Sequence, residues 1–179
     1  MILDFKMKFN PISGRETTLD HYGKRGIGWH GCQLTYYRQM VIDDETKTVR
    51  HIVYFDQILQ SSNKQDASCA LSMLELVIVA INHELPFIQE IGLQSDNANC
   101  YQNQFLHFGI ALLNLKFCGR IFIHYYIHTE TQDGKSSLDA HFACAMRFLS
   151  RFMQTWYRNH ITRINTARGL AYALSSKGG

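Results

Sequence analysis

Hydrophobic and polar residues alternate strictly at the start of the chain. Leu3, Phe5, Met7 and Phe9 fall on one side, and Asp4, Lys6 and Lys8 on the other. A period of two marks an extended strand with one covered face. Asn10-Pro11-Ile12-Ser13-Gly14 breaks the run. A polar stretch follows to residue 26, with Tyr22-Gly23-Lys24-Arg25-Gly26 as a basic, glycine-punctuated loop. Residues 27–40, with Trp29, Leu34, Tyr36 and Tyr37, read as a second strand. Asp43-Asp44-Glu45-Thr46 reads as a turn, and residues 49–59 as the returning hairpin partner. Three strands joined in this way imply an antiparallel meander.

The period then changes. Residues 66–85 are apolar around much of a helical circumference, which predicts a buried helix ended by Pro86. Residues 87–94 read as a strand. Residues 102–116 form a second predicted helix, with Phe105, Phe108, Ala111, Leu112 and Leu115 as its apolar stripe and Cys118-Gly119 as its stop. Residues 120–129, rich in Ile, Phe and Tyr, read as a strand. A third helix over residues 137–157 carries the stripe Leu138, Phe142, Ala145, Met146, Leu149 and Phe152 or Met153. The last twenty residues predict a short strand or turn, a small helix and a flexible Ser-Ser-Lys-Gly-Gly tail. The order β-β-β-α-β-α-β-α is that of an α/β protein. Right-handed crossovers would set strands four and five parallel to strand one. The expected result is a five-stranded mixed sheet of order 3-2-1-4-5, with helices after strands 3, 4 and 5. No repeat, low-complexity tract or linker interrupts it, so a single domain over residues 1–179 is expected, with residues 158–179 as its C-terminal extension.

Composition narrows the class. The chain has 179 residues, 46% of them hydrophobic, enough for one packed core and too few for two large ones. No uninterrupted apolar run reaches the roughly 18 residues of a membrane span. The most apolar stretch, residues 71–81, contains Glu75. The N-terminus lacks the basic-then-apolar pattern of a signal peptide. These features predict a soluble, intracellular protein, nuclear in a eukaryotic cell, with no membrane partner. Five cysteines, odd in number and without a C-x-x-C pair, argue against a disulfide framework or a zinc ribbon. Residues 140–179 hold six cations and no acid within a chain of net charge +3, so the tail is +6 and the remainder −3. That asymmetry suits a polyanionic partner, and also a solvated helix face that happens to carry arginines.

Three acids fall where such a sheet delivers side chains to one edge. Asp4 lies in the first strand, Asp96 closes the fourth in Ile91-Gly92-Leu93-Gln94-Ser95-Asp96-Asn97, and Asp139 opens the last long helix. Ligands of open α/β sheets collect at the carboxyl ends of strands, beside the switch in strand order. Carboxylates gathered there repel one another unless a cation intervenes, and hard oxygen ligands favour Mg²⁺ or Mn²⁺. Each acid also has an ordinary role open to it. Asp4 suits a strand end, Asp96 an Asx-turn or cap, and Asp139 the positive end of a helix dipole. Asp56 is a rival first acid at the end of strand three. Glu75 is a fourth carboxylate candidate, and His141 a weak one two residues after Asp139. Lys135 suits a phosphate contact. Trp29 and His30 read as packing residues.

The ordered set resembles the ribonuclease H-like catalytic core of DNA transposases and retroviral-type integrases. Gln94-Ser95-Asp96-Asn97-Ala98-Asn99-Cys100-Tyr101 is similar to the S-D-N-A-x-x-Y segment at the second acid of certain transposon-derived proteins. Gly134-Lys135 followed by Asp139-Ala140-His141-Phe142-Ala143 is similar to their G-K-x-x-x-D-x-x-F-A segment at the third. Lys24-Arg25-Gly26-Ile27-Gly28-Trp29-His30 resembles the opening of their second strand. The likeness spans the chain from Asp4 to residue 174. It implies a DDE/DDD-type site in which Asp4, Asp96 and Asp139 hold two divalent ions, acting in DNA cleavage, strand transfer and recombination. Lys135, Arg147, Arg151, Lys24 and Arg25 would hold the DNA backbone without reading bases. Transposases of this kind carry a separate DNA-binding region ahead of the core. Three residues precede Asp4 here, so the resemblance implies a fragment or decayed copy and admits a homo-oligomer. The alternative is a catalytically inactive, transposon-derived nucleic-acid-binding domain. A ribonuclease acting on hybrids through Glu75 is a further reading. A proofreading exonuclease is disfavoured, because Lys6 stands where its D-x-E motif needs an acid.

Overall fold

The computed structural model of the protein describes residues 1–10, 12–13, 26–60, 64–129, 137–157, 163–164 and 166–175. In chain order its elements are β1 (Ile2–Phe9), β2 (Ile12–Ser13), β3 (Ile27–Ile42), β4 (Glu45–Ile58), α1 (Ala67–Glu84), β5 (Glu90–Asp96), α2 (Gln104–Lys116), β6 (Phe122–Thr129), α3 (Ser137–Tyr157), β7 (Arg163–Ile164) and α4 (Ala167–Ser175). Five strands form one mixed sheet in the order β4-β3-β1-β5-β6, and β2 pairs with β7 in a separate two-stranded ribbon. Counting the long strands alone, that order is the expected 3-2-1-4-5. The two-residue strand β2 falls where the sequence predicts only a chain break.

The β3–β4 hairpin turns on Asp43 and Asp44, whose φ angles are 53° and 61°. Two left-handed residues in a two-residue loop make a type I′ turn, whose twist matches that of the flanking strands. The register it sets runs the length of the hairpin. Tyr36 stacks on His51 with ring centroids 5.0 Å apart, and Gly28 O accepts from Leu59 N at 2.9 Å. Both strands extend closer to the turn than the sequence predicts, because the residues near it are exposed and carry no burial period.

β1 and β5 are parallel, with Ile2 opposite Gln94, and Gln94 N donates to Met1 O at 2.9 Å. β5 and β6 are also parallel, with a register shift after Ile91 that leaves His124 as the extra residue. The shift brings the Tyr125 ring over Gly92, where an added Cβ would lie 2.2 Å from the ring.

The chain divides into two compact units whose segments alternate along the sequence. The first comprises Met1–Asp4, Gly31–Asp56 and Asp66–Gly134; the second comprises Phe5–His30, Gln57–Gln65 and Lys135–Gly179. In the first unit, α1 begins at the cap Asp66, whose carboxylate accepts from Cys69 N at 2.9 Å. It buries Ala70, Leu74, Val77, Ile78 and Ile81. By length and composition α1 is also apolar enough to cross a membrane, a property that counting uninterrupted apolar runs misses. In the second unit, Trp29 and His30 are fully buried, as expected of packing residues. Trp29 meets Phe142 edge-to-face at 5.4 Å, and α3 buries Leu138, Phe142, Ala145, Leu149 and Met153.

The apolar stripe expected of α2 does not face the core. Phe105, Phe108, Leu112 and Leu115 are exposed, whereas Leu106, Gly109, Ile110 and Leu113 are buried. The helix is apolar on two arcs, and the one with the larger side chains faces out. Gly109 decides the orientation, since a Cβ there would lie 2.5 Å from the Leu71 side chain. A larger residue at 109 would have to displace the Leu71 side chain.

Candidate active site

The first unit holds two of the three acids. Asp4 is half-buried on β1 and Asp96 is half-buried at the end of β5. Asp4 and Asp96 each lie two residues beyond the pair Ile2–Gln94 on these parallel strands, and the charges of both act on Cys100. A side-chain period of two puts each acid on the face of the paired residue two positions before it.

Local chemistry shapes the Asp96 end. Asp96 Oδ1 accepts from Ala98 N at 3.0 Å, forming the Asx-turn that ends β5. Ala98 O then accepts from Tyr101 N and Gln102 N, and Asn103 caps α2 by accepting from Phe105 N at 2.8 Å. On the neighbouring strand, Thr129 Oγ1 donates to Ser95 O at 3.1 Å, and Ser95 Oγ shares a 2.8 Å hydrogen bond with Tyr126 OH. His128 Nδ1 lies 3.3 Å from Ser95 Oγ and 3.4 Å from Asp96 O. The main chain around Asp96 is therefore held from both sides.

Electrostatics place further groups beside the acids. Burial pushes the Cys100 thiol up to about 11, and the charges of Asp96 and Asp4 add to the effect. Burial also raises the Tyr101 phenol well above its ordinary value, with Asp4 the next contributor. Tyr126 is pushed up to about 12 by burial, opposed by its hydrogen bond to Ser95. Asp4, Asp96, Cys100 and Tyr101 share one neighbourhood, in which the thiol and phenol stay protonated at neutral pH. The carboxylates of Asp4 and Asp96 are hard oxygen donors, a chemistry that fits Mg²⁺ or Mn²⁺.

Glu75 pairs with Lys116 of α2, so its carboxylate is engaged between two helices. Asp56 is exposed near the end of β4, where its charge adds to the burial that raises the Cys32 thiol. Asp139 is exposed in the first turn of α3 and belongs to the second unit. His141 is half-buried on the same helix beside Phe142. Arg147 and Arg151 are exposed on α3, one turn apart. Lys24, Arg25 and Lys135 lie outside the described residues. Among the described residues no group of three or more His, Cys, Asp or Glu side chains is gathered to hold a metal.

Sequence reading missed Ser95, Cys100, Tyr101, Tyr126 and His128 as neighbours of Asp96. Two signals pointed to them. Three stand inside the Ser95-to-Tyr101 motif, and Tyr126 and His128 repeat at a period of two along β6. No protein-family model matches the chain, and no curated protein matches it.

Proposed function

We propose that this chain is a ribonuclease H-like core that cleaves or joins DNA phosphodiester bonds, with Asp4, Asp96 and Asp139 holding two Mg²⁺ or Mn²⁺ ions. One observation carries the reading: β1 and β5 are neighbouring parallel strands with Ile2 opposite Gln94, each two residues before Asp4 and Asp96, in a sheet of order 3-2-1-4-5. Asp139 enters on its sequence motif alone. The bound ions would supply a nucleophilic water or 3′-hydroxyl and would neutralise charge on the leaving oxygen. The chain's own residues have simpler tasks. The Asx-turn at Asp96 commits one carboxylate oxygen to Ala98 N and so orients the other. Bonds from Thr129 and Ser95 to the main chain beside it limit drift of the strand end. Arg147, Arg151, Lys135, Lys24 and Arg25 are assigned to the phosphate backbone.

Nicking of supercoiled DNA in Mg²⁺ or Mn²⁺ tests the proposal. Asp96→Asn and Asp4→Asn should each reduce nicking to background while circular dichroism stays unchanged. Asp139→Asn tests the third acid separately. Calorimetric Mg²⁺ titration adds a readout independent of turnover, and the heat should vanish in Asp96→Asn. Nicking that survives Asp96→Asn removes the assignment. Salt-sensitive DNA binding with neither metal heat nor nicking would identify the alternative, a nucleic-acid-binding domain without catalysis.

A further inference from the structure

The outward arc of α2 has no partner within its unit. Phe105 is 54% exposed, Phe108 67%, Leu112 49% and Leu115 74%. On the adjoining helix α1, Leu76 is 56% and Val79 48% exposed. Fraying does not explain this, because three contacts fix the rotation of α2. Gly109 lies against Leu71 of α1. Asn114 Nδ2 donates to Ile123 O at 3.0 Å and its Oδ1 accepts from Ile123 N at 2.8 Å, clamping the helix to the β6 backbone. Lys116 pairs with Glu75. Turning the exposed residues inward would break all three.

The arc has the properties of a helix-pairing surface. Steps of three, four and three residues separate its four large side chains, the a/d spacing by which one helix packs on another. At ~100° per residue they span an arc of roughly 80°. With the two α1 residues, the exposed apolar area is on the order of 600 Å². That approaches the ~800 Å² which each partner contributes to a standard interface. Its surroundings are uncharged or neutralised. Gln104, His107, Ala111 and Asn114 border one side, and the Glu75–Lys116 pair stands on the other. An anionic polymer or an acidic membrane surface would need unpaired cations here. A second copy needs none, since the same stripe meets itself about a two-fold axis without like-charge contact.

We infer that the exposed face of α2, with Leu76 and Val79 of α1, is a homodimerisation surface. The inference is independent of the nuclease reading and stands if that fails. The area is that of the low end of standard interfaces, where weak, transient complexes are common, so the test range is centred on micromolar affinity. Sedimentation velocity of the full chain from about 1 to 100 µM brackets that value. The expected result is a shift of the weight-average mass from 20.7 kDa toward twice that value. Leu115→Glu and Phe108→Glu should each hold the chain monomeric throughout, with a thermal midpoint equal to the wild type's at about 1 µM, where the wild type is also mostly monomeric, because both positions are exposed. Leu112→Gln, a milder change, should weaken dimerisation at least tenfold and keeps the test valid should a charged variant fail to fold. A wild-type chain monomeric at 100 µM, or a dimer indifferent to all three substitutions, overturns the inference. So does a monomer that floats with neutral phosphatidylcholine vesicles, since lipid would then be what covers the face.

Discussion

His30 shows how burial alone sets the behaviour of a single residue. It is fully buried, with Nδ1 2.7 Å from Gln57 Oε1 and the ring 4.7 Å from Phe5. Desolvation pulls it from 6.5 to about 4, only partly opposed by the Gln57 bond. Above pH 6.5 the ring is neutral whether folded or unfolded, and it costs nothing. Between pH 6.5 and 4 the unfolded chain takes up a proton that the folded chain refuses, so stability falls as pH falls. The full difference is roughly 3 kcal/mol. Urea melts at pH 7 and pH 4 should show that loss, and His30→Asn should flatten it by a comparable amount. Cys100 reports on the acids in the same way. Neutralising Asp96 as Asn removes one of the charges that raise its thiol, so iodoacetamide labelling of Cys100 at pH 8.5 should quicken several-fold. Mg²⁺ binding beside the acids should quicken it in the wild-type chain and leave Asp96→Asn unaffected. No change in either experiment would mean that the carboxylates and the thiol are not neighbours.

Within elements, the deciding positions are those that dictate close approach or unusual dihedrals. Gly109→Ala gains about 1 kcal/mol of helix propensity, but must force Leu71 aside at a cost of 1–3 kcal/mol. The net expectation is a loss of about 1 kcal/mol by urea denaturation. Adding Leu71→Ala should cancel the clash term, giving a coupling energy of at least ~0.5 kcal/mol in a double-mutant cycle. At the hairpin, Asp44→Gly relieves a left-handed non-glycine residue and should stabilise by roughly 0.5–1 kcal/mol. A destabilised variant would show that the Asp44 side chain contributes more than its backbone costs.

For the whole molecule, the nucleic-acid assignment makes an electrostatic prediction. Arg147 and Arg151 are exposed on α3, in a C-terminal segment that carries six cations and no acid. If both contact phosphates, the double substitution Arg147→Gln/Arg151→Gln should lower the slope of log affinity against log salt by about 2, equally for all DNA sequences. An unchanged slope would return these arginines to an ordinary solvated helix face. Strand order was readable at this scale because each period change marked an element and crossover handedness left few arrangements. The division into two units was not, because β1, β3 and β4 each run from one unit into the other with no linker composition to mark the passage.

By itself, the sequence determined the elements, their order and the placement of Asp4 and Asp96 on strands that become neighbours. Periodicity and chain handedness are local properties, and they suffice for that. Only the tertiary structure decided which arc of α2 is covered, that Lys116 would take Glu75, and that Cys100, Tyr101, Tyr126 and His128 gather around Asp96. These outcomes depend on contacts between distant segments. A glycine that admits a neighbouring helix or an asparagine that clamps a strand outweighs the hydrophobicity of the side chains on the opposite arc, and periodicity gives neither residue any weight.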